Sequence, residues 1–421
     1  MIRTVKESFA MTVTLEDVLA ARQRIAQGVA RTPCTESLAL SEMFGCSCFC
    51  KLEFMHRTGS FKERGARNAL ELLDATRRQR GVIAASAGNH ALALAFHARE
   101  LKIPVTVVMP RFAPLIKQSR CRALGARVML AGDNIAEAKL AADTLVESEG
   151  LTYVHGFDGA EVIAGQGTMG LELLEQVPDL DAVIIPVGGA GLIAGAGLAI
   201  KHLRPSVEVI AVEPRHAPSF SEALKAGKPV AVAMRPTLAD GLAVPRIGDR
   251  AFEIARRVVD RTVLVGEEEL ALAVLRLAEL EKGVVEGAGA APLAALLAGK
   301  LPHLKGKRVA LALCGGNIDP AVLGRVIDYG LVADGRVTQF AAIISDRPGG
   351  LAELTATIAA SGANVLQINH DRAFGGADFS RVAVTCIVET RDAAHIGKVQ
   401  EYLASKGIDV ISQTSPWACE V

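Results

Sequence analysis

Aromatic side chains are scarce: Phe, Tyr and Trp together make up 4% of the 421 residues, and there is one Trp. A core built on ring stacking is therefore excluded. Since half the residues are hydrophobic, Ala, Val, Leu, Ile and Gly must do the packing, which suits helices laid closely on a parallel sheet. Excess charge is absent too, with Lys+Arg and Asp+Glu at 46 each. That balance gives no global field to draw nucleic acid or an anionic membrane, so neither is an expected partner. No apolar run reaches membrane-spanning length; the nearest, 181–200, is broken by glycines at 188, 189, 191, 195 and 197. The start of the chain lacks the charged, apolar, small-residue order of a signal peptide. Residues 1–13 read instead as an N-terminal extension before the helix-like TLEDVLAARQRI. The 8 cysteines show no small-scaffold spacing, so the expected setting is reducing and cytoplasmic. Cys46, Cys48 and Cys50 alternate, which places them on one face of a strand as small apolar residues. A metal site there would need a fourth ligand from elsewhere, and none is expected.

What is present is a rhythm. From about residue 14 to 325, short apolar runs alternate with helix-length segments. GVIAAS (81–86), VTVVMP (105–110), RVMLAG (127–132), AVIIPV (182–187), VEVIAV (207–212) and RVALAL (308–313) read as buried strands. The class is α/β, with mostly parallel sheets covered by helices on both faces. Ligands in such folds bind beyond the C-terminal strand ends. Residues 326–338 read as a linker. From 339 to 421 the order becomes strand, helix, strand, strand, helix, strand, a ferredoxin-like βαββαβ unit.

Four motifs carry candidate chemistry. In SFKERGARNAL (60–70), Lys62 follows Gly59 and Phe61. An imine-forming lysine must be partly desolvated, and nothing in this segment alone separates Lys62 from an exposed helix lysine. SAGNH (86–90) joins a strand to a helix, so its backbone N–H groups form an anion site suited to a substrate carboxylate. A plain capped turn reads equally well. PVGGAGLIAG (186–195) is a second strand–turn–helix, able to cradle a phosphate. Gly189 to Ala194 also fit G-x-G-x-x-A, and Glu213 follows the next strand, so a nicotinamide oxidoreductase is a competing reading. ALCGGNID (312–319) ends a strand at Cys314, whose thiol could fill space or face a cofactor nitrogen. Just upstream, EGAGAAP (286–292) brings the carboxylate of Glu286 to the same sheet edge.

Taken in order, these pieces, with VIAGQGTMGLEL (162–173), LADGLAV (238–244) and VEGAGA (285–290), resemble the threonine dehydratase branch of the fold type II pyridoxal-phosphate enzymes. The resemblance spans roughly residues 14 to 415. It implies two open, mostly parallel sheets, one in a smaller subdomain near 54–155, with pyridoxal 5'-phosphate as cofactor. Lys62 then looks like the lysine that holds the cofactor covalently and serves as general base. Phe61 would pack on its ring and Asn89 would bond its phenolic oxygen. Gly188, Gly189, Ala190, Gly191 and Leu192 would give N–H groups to its phosphate, and Cys314 would face the ring nitrogen. Ser86, Ala87, Gly88, Asn89 and His90 would surround the substrate carboxylate.

The implied reaction is dehydration and deamination of L-threonine to 2-oxobutanoate and ammonia, with L-serine as second substrate. Related alternatives are elimination or racemisation on serine or 3-hydroxyaspartate, or a non-catalytic amino-acid sensor. Racemases that resemble this chain carry a serine where Ala87 stands, and alanine cannot transfer a proton. Metal-binding relatives place a second carboxylate near Glu213 where this chain has Ser219, following Ala217, so no metal is expected. Residues 339–421 resemble an ACT domain, whose DRPGGL turn (346–351) would take an amino-acid effector. Isoleucine or valine would suit a role in isoleucine biosynthesis. A homodimer or homotetramer is the expected assembly.

Overall fold

The computed structural model describes residues 13–370 and 380–412; of the expected N-terminal extension, residues 1–12 lie outside that range. The chain forms two compact units, 1–319 and 320–421. The first helix, Leu15–Ile25, starts where the sequence provides a capping box: Asp17 N–H donates to Thr14 Oγ1 and Asp17 Oδ2 accepts from Thr14 N–H. Its buried residues Val18, Ala21 and Ile25 form one stripe.

Fourteen strands are described, β1 Cys34–Ser37, β2 Ser47–Lys51, β3 Val82–Ala85, β4 Val105–Met109, β5 Arg127–Leu130, β6 Thr152–Tyr153, β7 Ala182–Pro186, β8 Glu208–Pro214, β9 Arg261–Val265, β10 Arg308–Ala312, β11 Val337–Ser345, β12 Asn364–His370, β13 Arg381–Glu389 and β14 Asp409–Ser412. In the first unit, one sheet has the order β1-β2-β10-β7-β8-β9 and the other β5-β4-β3-β6. All pairs are parallel except β1 with β2. The expected pair of open, mostly parallel sheets is therefore present. Strand β7 is buried throughout, as a sheet covered on both faces requires.

Low aromatic content shows its purpose where helices Ala160–Gln176 and Gly191–Leu203 meet. A Cβ on Gly195 would lie 2.2 Å from the Ile163 carbonyl oxygen, and one on Gly170 would lie 2.5 Å from that of Ala196. The two backbones touch, so GQGTMG and AGAG are packing surfaces rather than loops. Cys48 and Cys50 lie in strand β2 and Cys46 just before it, all buried as expected of small apolar residues; Phe49 is buried too, because β2 is interior to its sheet. Cys46 Sγ and Cys48 Sγ are 3.5 Å apart, both free thiols.

The second unit begins with helix Pro320–Ala333, which occupies much of the expected linker 326–338. Its sequence, PAVLGRVIDYGLVA, spaces apolar residues at helical intervals, a pattern the linker reading overlooked. The four-stranded antiparallel sheet that follows has the order β12-β13-β11-β14. Phe340, Ala342 and Ile344 of β11 pair with Cys386, Val384 and Val382 of β13 on one buried face. Leu354 and Ile358 of helix Gly350–Ala360 and Val399 and Leu403 of helix Ala393–Ser405 complete that core. This is the expected βαββαβ arrangement. Among the described residues, no helix is long and apolar enough to cross a membrane.

Candidate active site

The expected ligand turns all open onto one cavity of about 610 Å³ in the first unit. Its wall includes Phe61, Lys62, every residue from Ser86 to His90, Gly188 to Leu192, and Cys314. These residues come from the ends of β3, β7 and β10 and from the turn before helix Lys62–Glu71. The turn is stitched to the end of β10: Ser60 bridges Gly315, and Phe61 N–H donates to the Cys314 carbonyl at 3.1 Å.

Lys62 stands at the first position of its helix, with its amine deep in the wall. Nζ donates to the Gly156 carbonyl at 2.6 Å and lies 5.0 Å from the Phe61 ring centroid. Burial pulls its ammonium down from the usual 10.5 to about 8. Among the described residues no carboxylate is bonded to it, so about a tenth of the amine is neutral and nucleophilic at pH 7, rising with pH.

Its acceptor belongs to a segment that sequence reasoning missed. His155 Nδ1 accepts from Phe157 N–H at 3.2 Å and Asp158 N–H at 2.9 Å, folding residues 155–158 into a turn. Phe157 then lies under the second Gly-rich turn. A Cβ on Gly189 would come within 2.2 Å of its ring, and one on Gly191 within 2.2 Å of its carbonyl. Ala190 adopts φ 68°, and helix Gly191–Leu203 starts immediately after it. Small residues, a left-handed turn and a helix N-terminus together form a cradle for a phosphate.

Asn89 is held at both ends. Its Nδ2 donates to Glu286 Oε1 at 2.7 Å and its Oδ1 accepts from Asn317 Nδ2 at 2.9 Å. His90 is fully enclosed, its Nε2 3.0 Å from the Val154 carbonyl oxygen, and burial takes its pKa down to about 3. It is a neutral structural imidazole. Ser86 Oγ accepts from Gly88 N–H at 3.3 Å. The Cys314 thiol donates to the Ala312 carbonyl, and burial pushes it well above the ordinary thiol range, so it stays neutral.

Behind Lys62 lies a charge network that the sequence did not announce. Arg64 bonds Glu53 through Nε and Nη2 at 2.7 Å each, and Glu172 through Nη1 at 2.7 Å and Nη2 at 2.8 Å. Lys51 Nζ reaches Glu172 at 2.6 Å, Gln176 at 2.9 Å and the Thr32 carbonyl at 2.7 Å. Two cations face two carboxylates, all buried or nearly so, which ties β2 to helices Lys62–Glu71 and Ala160–Gln176.

Glu213, the candidate ribose or metal carboxylate, has a different task. It accepts from Phe220 N–H at 2.6 Å, Ser221 N–H at 2.9 Å and Ser221 Oγ at 2.6 Å, capping helix Ser219–Ala226. Both its oxygens are engaged, which counts against a nicotinamide reading of the Gly189–Ala194 turn. Among the described residues, no group of three or more His, Cys, Asp or Glu side chains is placed to hold a metal ion.

The cavity residues fit pyridoxal phosphate: an anion cradle that a Cβ would fill, a desolvated amine, and a neutral thiol and an amide in one wall. Comparison with known proteins agrees. Residues 25–315 match the family model described as pyridoxal-phosphate dependent enzyme. An L-threonine ammonia-lyase of Thermotoga maritima is 44% identical over 398 residues, covering 94% of this chain and 99% of that protein. Threonine deaminase isoform 2 from Solanum lycopersicum, in its processed form, superposes with a TM-score of 0.72 at 34% identity, over 77% of this chain and 93% of the other. Serine racemase from Dictyostelium discoideum gives 0.69 at 36% identity, over 73% and 99%.

Proposed function

The chain belongs to the family of pyridoxal-phosphate-dependent enzymes, and from that premise we propose that it converts L-threonine to 2-oxobutanoate and ammonia, with L-serine as second substrate. The observation that carries this reading is the Lys62 amine, free of any carboxylate partner, in the same cavity as the Gly188–Leu192 cradle. Lys62 would hold the cofactor, Gly188 to Leu192 its phosphate, and Phe61, Asn89 and Cys314 its ring. Bound there, pyridoxal phosphate supplies an electron sink for the substrate α-carbon.

The protein's own residues do the rest. Backbone N–H groups of 86–90, at the start of helix Asn89–Glu100, bind the substrate carboxylate. The Lys62 amine, in the cavity wall, would take the α-proton as general base. A neutral thiol at Cys314 would face the ring nitrogen without balancing a charge there as a carboxylate would. Ala87, on the carboxylate turn, offers no proton for inversion, which sets this chain apart from a racemase.

The second unit serves as an amino-acid-binding regulatory domain in this reading. Its turn at 346–350 is tight: Gly349 has φ 89°, and a Cβ on Gly350 would lie 2.4 Å from the Ser345 carbonyl oxygen. Isoleucine or valine is the effector class for a biosynthetic enzyme, acting in the cytoplasm on a homodimer or homotetramer. One preparation tests the whole. The purified protein should absorb in the visible, release 2-oxo acid from threonine faster than from serine, and respond to isoleucine or valine. Lys62→Ala should remove both the absorption and the turnover, by at least about a thousandfold. A colourless wild-type protein that still turns over threonine would overturn the assignment.

A further inference from the structure

The polar wall of the cavity has a direction built into it. The Thr58 carbonyl, which can only accept, takes a hydrogen bond from Asn317 Nδ2 at 2.6 Å and so fixes that amide's orientation. The same nitrogen donates to Asn89 Oδ1 at 2.9 Å, fixing the next amide. Asn89 Nδ2 then donates to Glu286 Oε1 at 2.7 Å, leaving one N–H for the cavity. Glu286 is itself buried in the cavity wall. Its carboxyl fits because residue 315 is glycine: a Cβ there would lie 2.2 Å from Glu286 Oε1. The reaction as set out above leaves Glu286 without a task.

We infer that Glu286 is a positioning residue: it holds the Asn89 amide so that the remaining N–H meets the cofactor ring, and its protonation state sets the charge on that side of the ring. This rests on the cofactor reading above. The groups that bear most on the carboxyl can be named. Asn89 and the Asn317 backbone donate to it, Cys314 is a neutral thiol, and Asp240 and Lys117 face it as a pair 3.5 Å apart. Burial first, then Asp240, pushes Glu286 up to about 7, while the Asn89 bond and Lys117 draw it back. The carboxyl is therefore neutral on the acid side of about 7 and anionic above it.

The test uses the full chain, freed of cofactor and titrated with pyridoxal phosphate, followed by visible absorption across the neutral pH range. Wild type should show a pH-dependent step in the bound-cofactor spectrum within that range. Glu286→Gln still accepts from Asn89 but cannot ionise. It should keep cofactor affinity within about twofold and lose the step. Glu286→Ala should bind cofactor about three- to tenfold more weakly, the worth of one hydrogen bond. The inference is overturned if the Gln variant keeps the wild-type step, or if the Ala variant binds as tightly as wild type with an unchanged spectrum. Should Glu286→Ala fail to fold, the Gln variant decides alone. Wild-type protein that takes up no cofactor would instead overturn the cofactor reading, and this inference with it.

Discussion

Lys51 is buried and Lys62 partly buried, eleven positions apart, yet the fold treats them as opposites. Lys51 is enclosed with a carboxylate, a side-chain amide and a carbonyl as acceptors, so burial pulls its pKa down while Glu53 and Glu172 pull it back. Lys62 has one neutral carbonyl as acceptor, and burial outweighs the small opposing pull from Cys314. Two carboxylates repeat the contrast. Glu213 and Glu286 are each pushed up to about 7 by burial, but Glu213 is saturated by a helix terminus and Glu286 lines the cavity. Desolvation alone therefore does not mark chemistry. What marks it is desolvation with a bonding position left over for a ligand.

Three measurements test that contrast. The largest effect should come from Lys51→Met. It leaves Glu53 and Glu172 short of one cation, which costs about 3–5 kcal/mol of stability by chemical denaturation. The protein that does fold should still take up cofactor; loss of cofactor uptake at full stability would erase the distinction between the two lysines. Glu213→Gln comes next. It turns one acceptor toward backbone N–H groups into a donor, costing about 1–3 kcal/mol. The cofactor spectrum and its pH step should be unchanged, the reverse of what Glu286→Gln should show.

The smallest effect is a pH dependence of rate. Cofactor uptake by the cofactor-free protein needs neutral Lys62, so its rate should climb about tenfold per pH unit on the acid side of about 8 and level off above it. The sign for stability follows from the same shift. Because the folded pKa lies below the unfolded value of 10.5, the cost of burying this lysine is fully present below about 8 and is relieved as pH rises toward 10.5. A rate that is flat across this range would mean Lys62 is not the limiting nucleophile.

Much of this arrangement was legible in the sequence. Five of the six strands could be read from apolar runs because a doubly covered parallel strand is apolar on both faces; β5, also expected to be buried, is an edge strand with Arg127 and Leu130 exposed. The turns at 86–90 and 186–192 were legible because small residues between strand and helix have few other uses. Lys62 was legible only in company, since its desolvation comes from residues far along the chain. Gly156 could not be foreseen at all: a backbone carbonyl carries no side-chain signature, and its bond to Lys62 spans 94 positions. The network of Lys51, Glu53, Arg64 and Glu172 gave no sequence signal for the same reason, with Lys51 and Glu172 121 positions apart. Glu286 was visible as a carboxylate at the right sheet edge, but its bond to Asn89 was not.

The four-residue turn at 155–158 also governs alignment. Gly156 carries the acceptor for the lysine, and Phe157 is the floor beneath the anion cradle. Asp158 receives the N–H groups of Asp249 and Ala251, anchoring the turn to helix Asp249–Val258. The height of the amine and the depth of the cradle are thus set from a single ruler. A shift of that turn would move both marks together, so a phosphate seated on the cradle would keep its distance from the lysine's acceptor.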